Sequence, residues 1–250
     1  EALGVSLFHS VAAFNNSGFD ILGNYQNLIP YRNNVMLNLV TCGLIIFGGI
    51  GFLVIRELWT TRLRWRKLSM HAKVVLTVSA GLIITGTVLL KLVLFFCFLV
   101  VFVFFWLFLF LLGFFLLVLV VLMFIGASPG STGGGIKTST FFLLLQGIKT
   151  AATNKSGKAF HYSVPREAFR KAAIITILSV SVVITGVYLM AVMEPDISLT
   201  DILFEVTSAF GTVGLSTGIT PDLCDGSKLL SIAIMYIGRL GPLTVASLWY

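Results

Sequence analysis

Long apolar runs separated by short polar segments form the pattern of this chain. The runs 35–55, 74–90, 172–193 and 229–250 are long enough to cross a bilayer as helices, since a span needs about 17 to 25 residues. Two further apolar runs, 5–14 and 202–210, are too short to cross, and each leads into a polar, glycine-containing segment. Irregular backbone at membrane depth is tolerated where it lines a water-filled path or is buried in protein. The pattern therefore predicts two re-entrant pore loops among membrane-spanning helices.

The two re-entrant segments repeat one sequence pattern. Residues 8–20 read FHSVAAFNNSGFD and residues 204–216 read FEVTSAFGTVGLS, an offset of 204 − 8 = 196 positions. The shared positions are Phe8 and Phe204, Ala13 and Ala209, Phe14 and Phe210, and Gly18 and Gly214. Glycine allows backbone conformations that turn carbonyl oxygens inward, as in filters that replace a potassium ion's hydration shell with carbonyls. Two copies in one apolar chain predict repeated helix–pore loop–helix units.

Residues 92–127 contain no charged side chain. As one helix they would extend about 54 Å, well beyond a hydrocarbon core of about 30 Å, so this stretch must break, fold back or tilt strongly. Its end runs into Ile-Gly-Ala-Ser-Pro-Gly-Ser-Thr-Gly-Gly-Gly-Ile-Lys-Thr at 125–138, which is too rich in glycine to be regular helix. A phosphate-binding loop is disfavoured, because Ile136 separates Gly135 from Lys137 and no strand precedes the glycines. An unwound hinge with only a packing role remains an alternative to a functional loop.

Composition supports a membrane protein. Hydrophobic residues make up 57% of the chain and charged residues 11%, against about 25% charge in globular domains. The net charge is +7, yet thirteen of the seventeen Lys and Arg residues lie within 56–73 and 137–171. This asymmetry is the positive-inside pattern; it predicts a multi-pass protein of the cell membrane with both basic stretches cytoplasmic, and no nucleic-acid partner. Cys42, Cys97 and Cys224 have no paired spacing that would indicate a disulfide or a metal site.

Three motifs carry a family resemblance: Asn-Ser-Gly-Phe at 16–19, Gly-Thr-Val-Gly-Leu-Ser-Thr-Gly at 211–218, and Gly-Ala-Ser-Pro-Gly-Ser-Thr-Gly-Gly-Gly-Ile-Lys-Thr at 126–138. They resemble the Trk/Ktr/HKT superfamily of cation transporters, and among these the bacterial KtrB-type membrane subunits. The resemblance implies an all-α membrane fold of four helix–pore loop–helix repeats around one ion path. It also implies potassium uptake, without enzymatic activity, by symport through a homodimer. Its partners would be membrane lipids and a cytoplasmic ring of nucleotide-binding KtrA-type subunits. Potassium would be the substrate, with sodium a candidate activating ion and no cofactor in this chain.

The resemblance also implies roles for individual residues. Backbone carbonyls would form the selectivity filter at Asn16, Ser17, Gly18, Thr212, Val213 and Gly214. An intramembrane gate below the filter would comprise Gly126, Ser128, Pro129, Gly130, Gly133, Gly134, Gly135 and Lys137, with Arg239 close to it. Arg239 lies near the middle of the last predicted span. An arginine there costs at least about 2.5 kcal/mol on insertion scales, so we expect it to face protein or water and to have a partner.

Aligned to the family pattern, the chain divides into three units. Residues 1–71 correspond to the second repeat without its leading helix, followed by a basic cytoplasmic linker. Residues 72–171 correspond to the third repeat with a broken inner helix, and 172–250 to the fourth. The first repeat of the family pattern has no counterpart. We expect the chain to begin inside a longer protein, because it opens directly on Glu1 and a segment that resembles a pore loop.

The third filter should fall at 96–102, yet the sequence there is Phe-Cys-Phe-Leu-Val-Val-Phe, with neither glycine nor threonine. An apolar quadrant and a missing quadrant would leave a potassium ion with too few oxygen ligands, so the chain as written is expected not to conduct. Two alternatives to a potassium-translocating subunit stay open. One is an altered or designed scaffold of the same fold that does not conduct. An independent determination of residues 93–121 would distinguish it from a potassium-translocating subunit. The other is a sodium-selective relative.

Overall fold

The computed structural model describes residues 2–23, 28–101, 105–153, 157–160 and 162–247. It describes the side chains of these residues except those of 95–112, 158 and 246–247. Ten helices are described: α1 Ala2–Phe14, α2 Val35–Ile50, α3 Phe52–Thr60, α4 Met70–Val101, α5 Phe105–Phe124, α6 Thr138–Thr153, α7 Arg166–Met193, α8 Leu199–Gly211, α9 Asp225–Leu240 and α10 Pro242–Ser247. Short 3₁₀ turns lie at Ile29–Tyr31 and Trp65–Lys67, and strands β1 Lys158–Ala159 and β2 Tyr162–Ser163 form a small antiparallel hairpin. The predicted all-α class is confirmed.

Two described helices are long and apolar enough to cross a membrane, Met70–Leu94 within α4 and Arg166–Met193, and a third counts if α2 and α3 are taken together. The predicted continuous span 35–55 is wrong, because α2 ends at Ile50 and α3 is bent from it by 94°. The break lies at Gly51, whose φ of +92° is a conformation that favours glycine. The predicted span 229–250 is likewise interrupted after Leu240, at Gly241 with φ +88°.

The uncharged stretch folds back on itself. α4 ends at Val101, α5 begins at Phe105, and the two helices pack against each other. Gly86 of α4 lies against the Leu122 side chain of α5. At the position of the expected third filter, 96–101 continue α4 as helix, and Phe102 lies outside the described residues. The described backbone at 70–101 and 105–124 is therefore helical throughout.

Helix α8 lies at the centre of the best-packed part of the structure. Its residues from Phe204 to Gly211 are all buried, and it packs against α5, α7 and α9. The core around it contains Phe210, Met190 and Ile234, which are 0%, 0% and 2% exposed. Full burial of side chains of this size stabilises a fold by about 1.5 to 3 kcal/mol each. The second re-entrant segment therefore begins from a rigidly held helix.

Candidate functional site

The carboxyl end of α1 is closed by a tight cap. The Asn16 amide donates to the Ala13 carbonyl and the Ser17 amide donates to the Ala12 carbonyl, both at 3.1 Å. This pair of bonds is the Schellman motif, in which the residue after the helix adopts a left-handed backbone. Asn16 holds that position with φ +51°. The cap turns the chain sharply, so that 17–20 leave the helix end in an irregular conformation.

The carboxyl end of α8 carries the same cap. The Thr212 amide donates to the Ala209 carbonyl at 3.1 Å, and the Val213 amide donates to the Ser208 carbonyl at 2.9 Å. Thr212 has φ +52°, matching Asn16 after the 196-residue offset. The two copies of the sequence repeat thus share the same cap hydrogen bonds and the same left-handed backbone residue.

Thr212 is an unusual residue for a left-handed cap. β-Branched side chains rarely adopt positive φ, and such backbone strain costs about 1 to 3 kcal/mol. The Gly134 amide donates to Thr212 Oγ1 at 2.8 Å and holds the side chain in place. Strained positions of this kind persist only where the surroundings fix them, and here a neighbouring loop does so.

Gly18 and Gly214 follow the two caps and touch each other. Both have positive φ, +72° and +81°. A Cβ added to either glycine would overlap the backbone of the other, so neither position has space for a side chain. The two re-entrant segments are in direct contact at this level, and an ion could pass between them only if they separated.

A cavity of about 1340 Å³ adjoins both re-entrant segments. Its lining includes all the predicted filter residues except Ser17, namely Asn16, Gly18, Thr212, Val213 and Gly214. Ser17 instead turns back on α1, where its hydroxyl donates to the Ala12 carbonyl at 3.2 Å. α5 contributes Leu119, Leu122 and Met123, so the wall on that side is apolar. The structure thus brings the predicted filter residues of two distant segments to one cavity.

The glycine-rich loop, residues 126–137, folds back on its own start, where Ile125 and Ile136 form a parallel bridge. The Gly126 amide donates to the Ile136 carbonyl at 2.8 Å, and the Ile136 amide donates to the Phe124 carbonyl at 3.1 Å. A Cβ on Gly126 would overlap the Gly134 carbonyl, so only glycine allows this closure. The Lys137 Nζ donates to the Gly133 carbonyl at 2.6 Å and closes the loop from within.

One side of the glycine-rich loop binds the end of α2. The Ser128 amide and hydroxyl both donate to the Gly49 carbonyl, at 3.1 and 2.8 Å, and the hydroxyl also contacts the Ile50 carbonyl. The Thr132 amide donates to the Gly48 carbonyl at 3.2 Å. The last carbonyls of a helix have no partners within it, and here the loop supplies them. This explains why α2 stops at Ile50 instead of continuing as the predicted span.

The same loop reaches the carboxyl ends of α1 and α8. Thr132 Oγ1 donates to the Phe14 carbonyl at 2.8 Å, and the Gly135 amide donates to the Phe210 carbonyl at 3.2 Å. Phe14 and Phe210 are corresponding residues of the two repeats. Helix carboxyl ends carry a partial negative charge that favours cations, so these donors occupy positions attractive to a cation. The sequence did not single out Thr132; its hydroxyl in the middle of a glycine run was the available signal.

Span glycines pack on the same two carbonyls. A Cβ on Gly48 would overlap the Phe14 carbonyl, and a Cβ on Gly238 would overlap the Phe210 carbonyl. Gly126 instead packs on the Gly134 carbonyl. Gly48 and Gly238 therefore make equivalent close approaches of a helix to the end of a re-entrant helix.

Arg239 has a partner in the first re-entrant segment. Its Nη1 donates to the Asn15 carbonyl at 3.0 Å, one residue beyond α1. Its positive charge also acts on Lys137 of the glycine-rich loop. The remaining predicted loop residues, Pro129 and Gly130, lie over the α2–α3 break: the Pro129 carbonyl adjoins Gly51, and Gly130 adjoins Leu53.

Two carboxylates hold the chain that follows the second re-entrant segment, and the sequence reasoning missed both. The buried Glu205 of α8 accepts hydrogen bonds from the Thr220 hydroxyl at 3.0 Å and from the Ser216 hydroxyl. Glu194, beyond the end of α7, accepts from the Cys224 amide at 2.7 Å, and this bond lowers the pKa of its carboxyl. Among the described residues, no group of three His, Cys, Asp or Glu side chains could hold a metal ion.

Comparisons with known proteins agree on one kind of molecule. A family model described as TrkH, cation transport protein, matches residues 111–249. The chain is 37% identical over 270 residues to the potassium/sodium uptake protein NtpJ of Enterococcus hirae, with 98% of this chain and 59% of that protein covered. It is 34% identical over 268 residues to the Ktr system potassium uptake protein B of Vibrio alginolyticus, with 96% and 58% covered. The chain thus spans less than two thirds of the length of these relatives.

A solved structure has the same fold. The crystal structure of the potassium transporter TrkH from Vibrio parahaemolyticus superposes with a TM-score of 0.70 at 16% sequence identity, covering 98% of this chain and 58% of that one. At this identity the likeness concerns the fold and does not extend to the chemistry of the site.

Proposed function

Since the chain belongs to the TrkH family of cation transport proteins, we propose that it forms part of a potassium uptake path across the cell membrane. The observation that carries the proposal is the pair of matching caps, Asn16 on α1 and Thr212 on α8, which bring two glycine-containing segments to one cavity. The printed names of the relatives support the ion, since they describe potassium uptake or potassium and sodium uptake. The chain is a multi-pass membrane protein, and its relatives are transporters.

In this proposal the backbone carbonyls of 16–18 and 212–214 serve as ion ligands. Carbonyl oxygens can replace the hydration shell of a potassium ion, and the negative ends of α1 and α8 favour a cation at the same place. Gly18 and Gly214 lie in contact in the described conformation, so conduction requires the two segments to move apart.

The glycine-rich loop acts as the gate. Its donors, Thr132 Oγ1 and the Gly135 amide, bind the carbonyls of Phe14 and Phe210, which a passing cation would otherwise meet. Arg239 places a positive charge beside the same end of α1. Withdrawal of the loop would free these carbonyls and remove a barrier from the path, which is a switch between two discrete arrangements.

The partners follow from the relatives. The relative from Vibrio alginolyticus is named as a protein of a Ktr system, which supports assembly of this chain with further subunits. We propose a homodimer regulated by a cytoplasmic ring of nucleotide-binding subunits, with the basic stretches 56–73 and 137–171 facing the cytoplasm. Sodium is a second candidate substrate, because the relative from Enterococcus hirae is named for both ions.

Flux from liposomes tests the proposal. The full-length protein should take up potassium, and deletion of 130–135 should increase the rate, because the loop no longer covers the helix ends. Arg239→Ala is expected to change the rate of the same gating step. The 250-residue chain alone, which is expected not to conduct, serves as the comparison. Absence of any potassium uptake by the correctly inserted full-length protein would rule out the function. Loss of flux on deletion, with insertion and assembly intact, would make the loop a structural hinge.

A further inference from the structure

The two cap residues have one more feature in common: the side chain of each is bound to the glycine-rich loop. Asn16 Nδ2 donates to Thr132 Oγ1 at 3.1 Å, and the Gly134 amide donates to Thr212 Oγ1 at 2.8 Å. Asn16 and Thr212 belong to different repeats, yet their partners lie two residues apart in one loop. We propose that Thr132 and Thr212 are positioning residues that hold the backbone of 16–18 and 212–214 in place. Through these two residues the glycine-rich loop sets ion selectivity in addition to opening the path. This inference rests on the proposed potassium path.

The hydroxyl of Thr132 both donates and accepts a hydrogen bond in this arrangement. A hydroxyl has one hydrogen to donate and two lone pairs to accept with. Thr132 Oγ1 donates its hydrogen to the Phe14 carbonyl at 2.8 Å and accepts from Asn16 with a lone pair. It therefore joins the last turn of α1 to its left-handed cap residue. A methyl group of the same size would remove both bonds and leave the packing unchanged.

The caps need this support because neither has glycine at its left-handed position. Asn tolerates the left-handed region moderately, whereas Thr is strained there, so each cap relaxes toward ordinary φ unless it is held. The φ and ψ angles of the cap residue determine where the next carbonyls point. Ion selectivity in a carbonyl filter depends on the number and field strength of those dipoles. A loosened cap should therefore lower selectivity for potassium before it abolishes transport.

Valine and serine variants isolate the hydroxyls. Thr132→Val and Thr212→Val keep the β-branched shape, and Thr132→Ser and Thr212→Ser keep the hydroxyl. Thr138→Val is the matched control, because Thr138 directly follows the same loop as the first residue of α6 and its buried hydroxyl has no hydrogen-bond partner in the described structure. The measurement is the ratio of potassium to sodium flux through the full-length protein in liposomes. Thr212→Val should lower this ratio about fivefold, equivalent to the loss of one ordinary hydrogen bond, and Thr132→Val, which removes two bonds, should lower it at least as much.

The serine variants and Thr138→Val should keep the ratio of the unmodified protein. Normal potassium flux in the unmodified protein, with unchanged ratios in both properly inserted valine variants, would overturn the inference and leave the proposed function intact. No potassium flux in the unmodified protein would remove the proposed function, and the inference with it.

A second measurement is decided on the unmodified protein alone. Coupling between two sites is reciprocal, so an ion bound between the re-entrant segments should stabilise the loop that supports them. Amides of 126–137 should exchange with deuterium more slowly in potassium than in sodium, and Thr212→Val should reduce the difference. Equal exchange of these amides in the two ions in the unmodified protein would overturn the inference.

Discussion

Helices α1 and α8 are two copies of one element in different surroundings. Both end in the same pair of cap hydrogen bonds and the same left-handed residue. Yet α8 is buried from Phe204 to Gly211, whereas α1 has only Ala12 and Ala13 buried, and its Leu3 is 84% exposed. α8 packs against α5, α7 and α9, while α1 packs chiefly against α2. The comparison teaches that the local sequence specifies the cap, whereas the packing neighbours determine how firmly it is held.

The largest difference should appear at the last phenylalanine of each helix. Phe210 is 0% exposed and Phe14 is 41% exposed. Phe210→Ala leaves a cavity in a packed core and should destabilise the fold by about 3 to 5 kcal/mol. Phe14→Ala should cost about 1 kcal/mol, near the centre of the distribution for point substitutions. Thermal unfolding in detergent measures both, and equal losses would mean that α1 is as firmly packed as α8.

The span glycines should differ in the same direction. Gly48→Ala places a methyl group on the Phe14 carbonyl, and Gly238→Ala places one on the Phe210 carbonyl. Overpacking costs about 1 to 3 kcal/mol where the neighbours cannot move. We expect Gly238→Ala near the upper end and Gly48→Ala near the lower end, because α1 has room to shift. Thermal unfolding of the two variants provides the check, and a larger loss for Gly48→Ala would reverse the comparison.

The filter glycines sharpen the comparison at the level of transport. Gly18→Ser or Gly214→Ser brings a side chain against the opposite backbone at a positive φ, so the carbonyls of both segments must shift. We expect the ratio of potassium to sodium flux to fall about tenfold, since a change near 1.4 kcal/mol in relative ion binding has that effect. Flux from liposomes holding full-length protein tests this. Unchanged selectivity in both variants would remove these glycines from the filter.

The smallest effect concerns pH and the segment after α8. The Cys224 amide lowers the pKa of Glu194 below its ordinary value of 4.5. A carboxyl with a lowered folded-state pKa stabilises the fold above its unfolded pKa, and this contribution is lost as pH falls through the folded value. Glu194→Gln should therefore lower the unfolding temperature slightly at neutral pH, and this difference from the unmodified protein should disappear as pH falls below 4.5. Unfolding temperatures of the unmodified protein and the Glu194→Gln variant, measured from neutral pH to below pH 4.5, test this prediction. Identical curves for the two proteins would contradict it.

Much of this fold could be predicted from the sequence. The offset repeat placed both re-entrant segments, and the helices before them begin and end within a few residues of the predicted runs. The glycine and proline content of 125–138 identified an unwound loop, and the family resemblance carried by its motifs is confirmed by the matching relatives. Roles for the filter and gate residues remain predictions, because ion binding depends on carbonyl positions that residue types do not specify.

The sequence by itself determined the apolar periodicity, the repeat and the positions that must be glycine, because these depend on local sterics and on burial of whole runs. Only the tertiary structure decided that α2 breaks at Gly51, because the competing hydrogen bonds come from Ser128 and Thr132, about 80 residues away. It also decided that Thr132 and Thr212 connect the loop to the two caps. A hydroxyl shows its donor capacity in the sequence, but the acceptor it meets is chosen by the packing of distant segments.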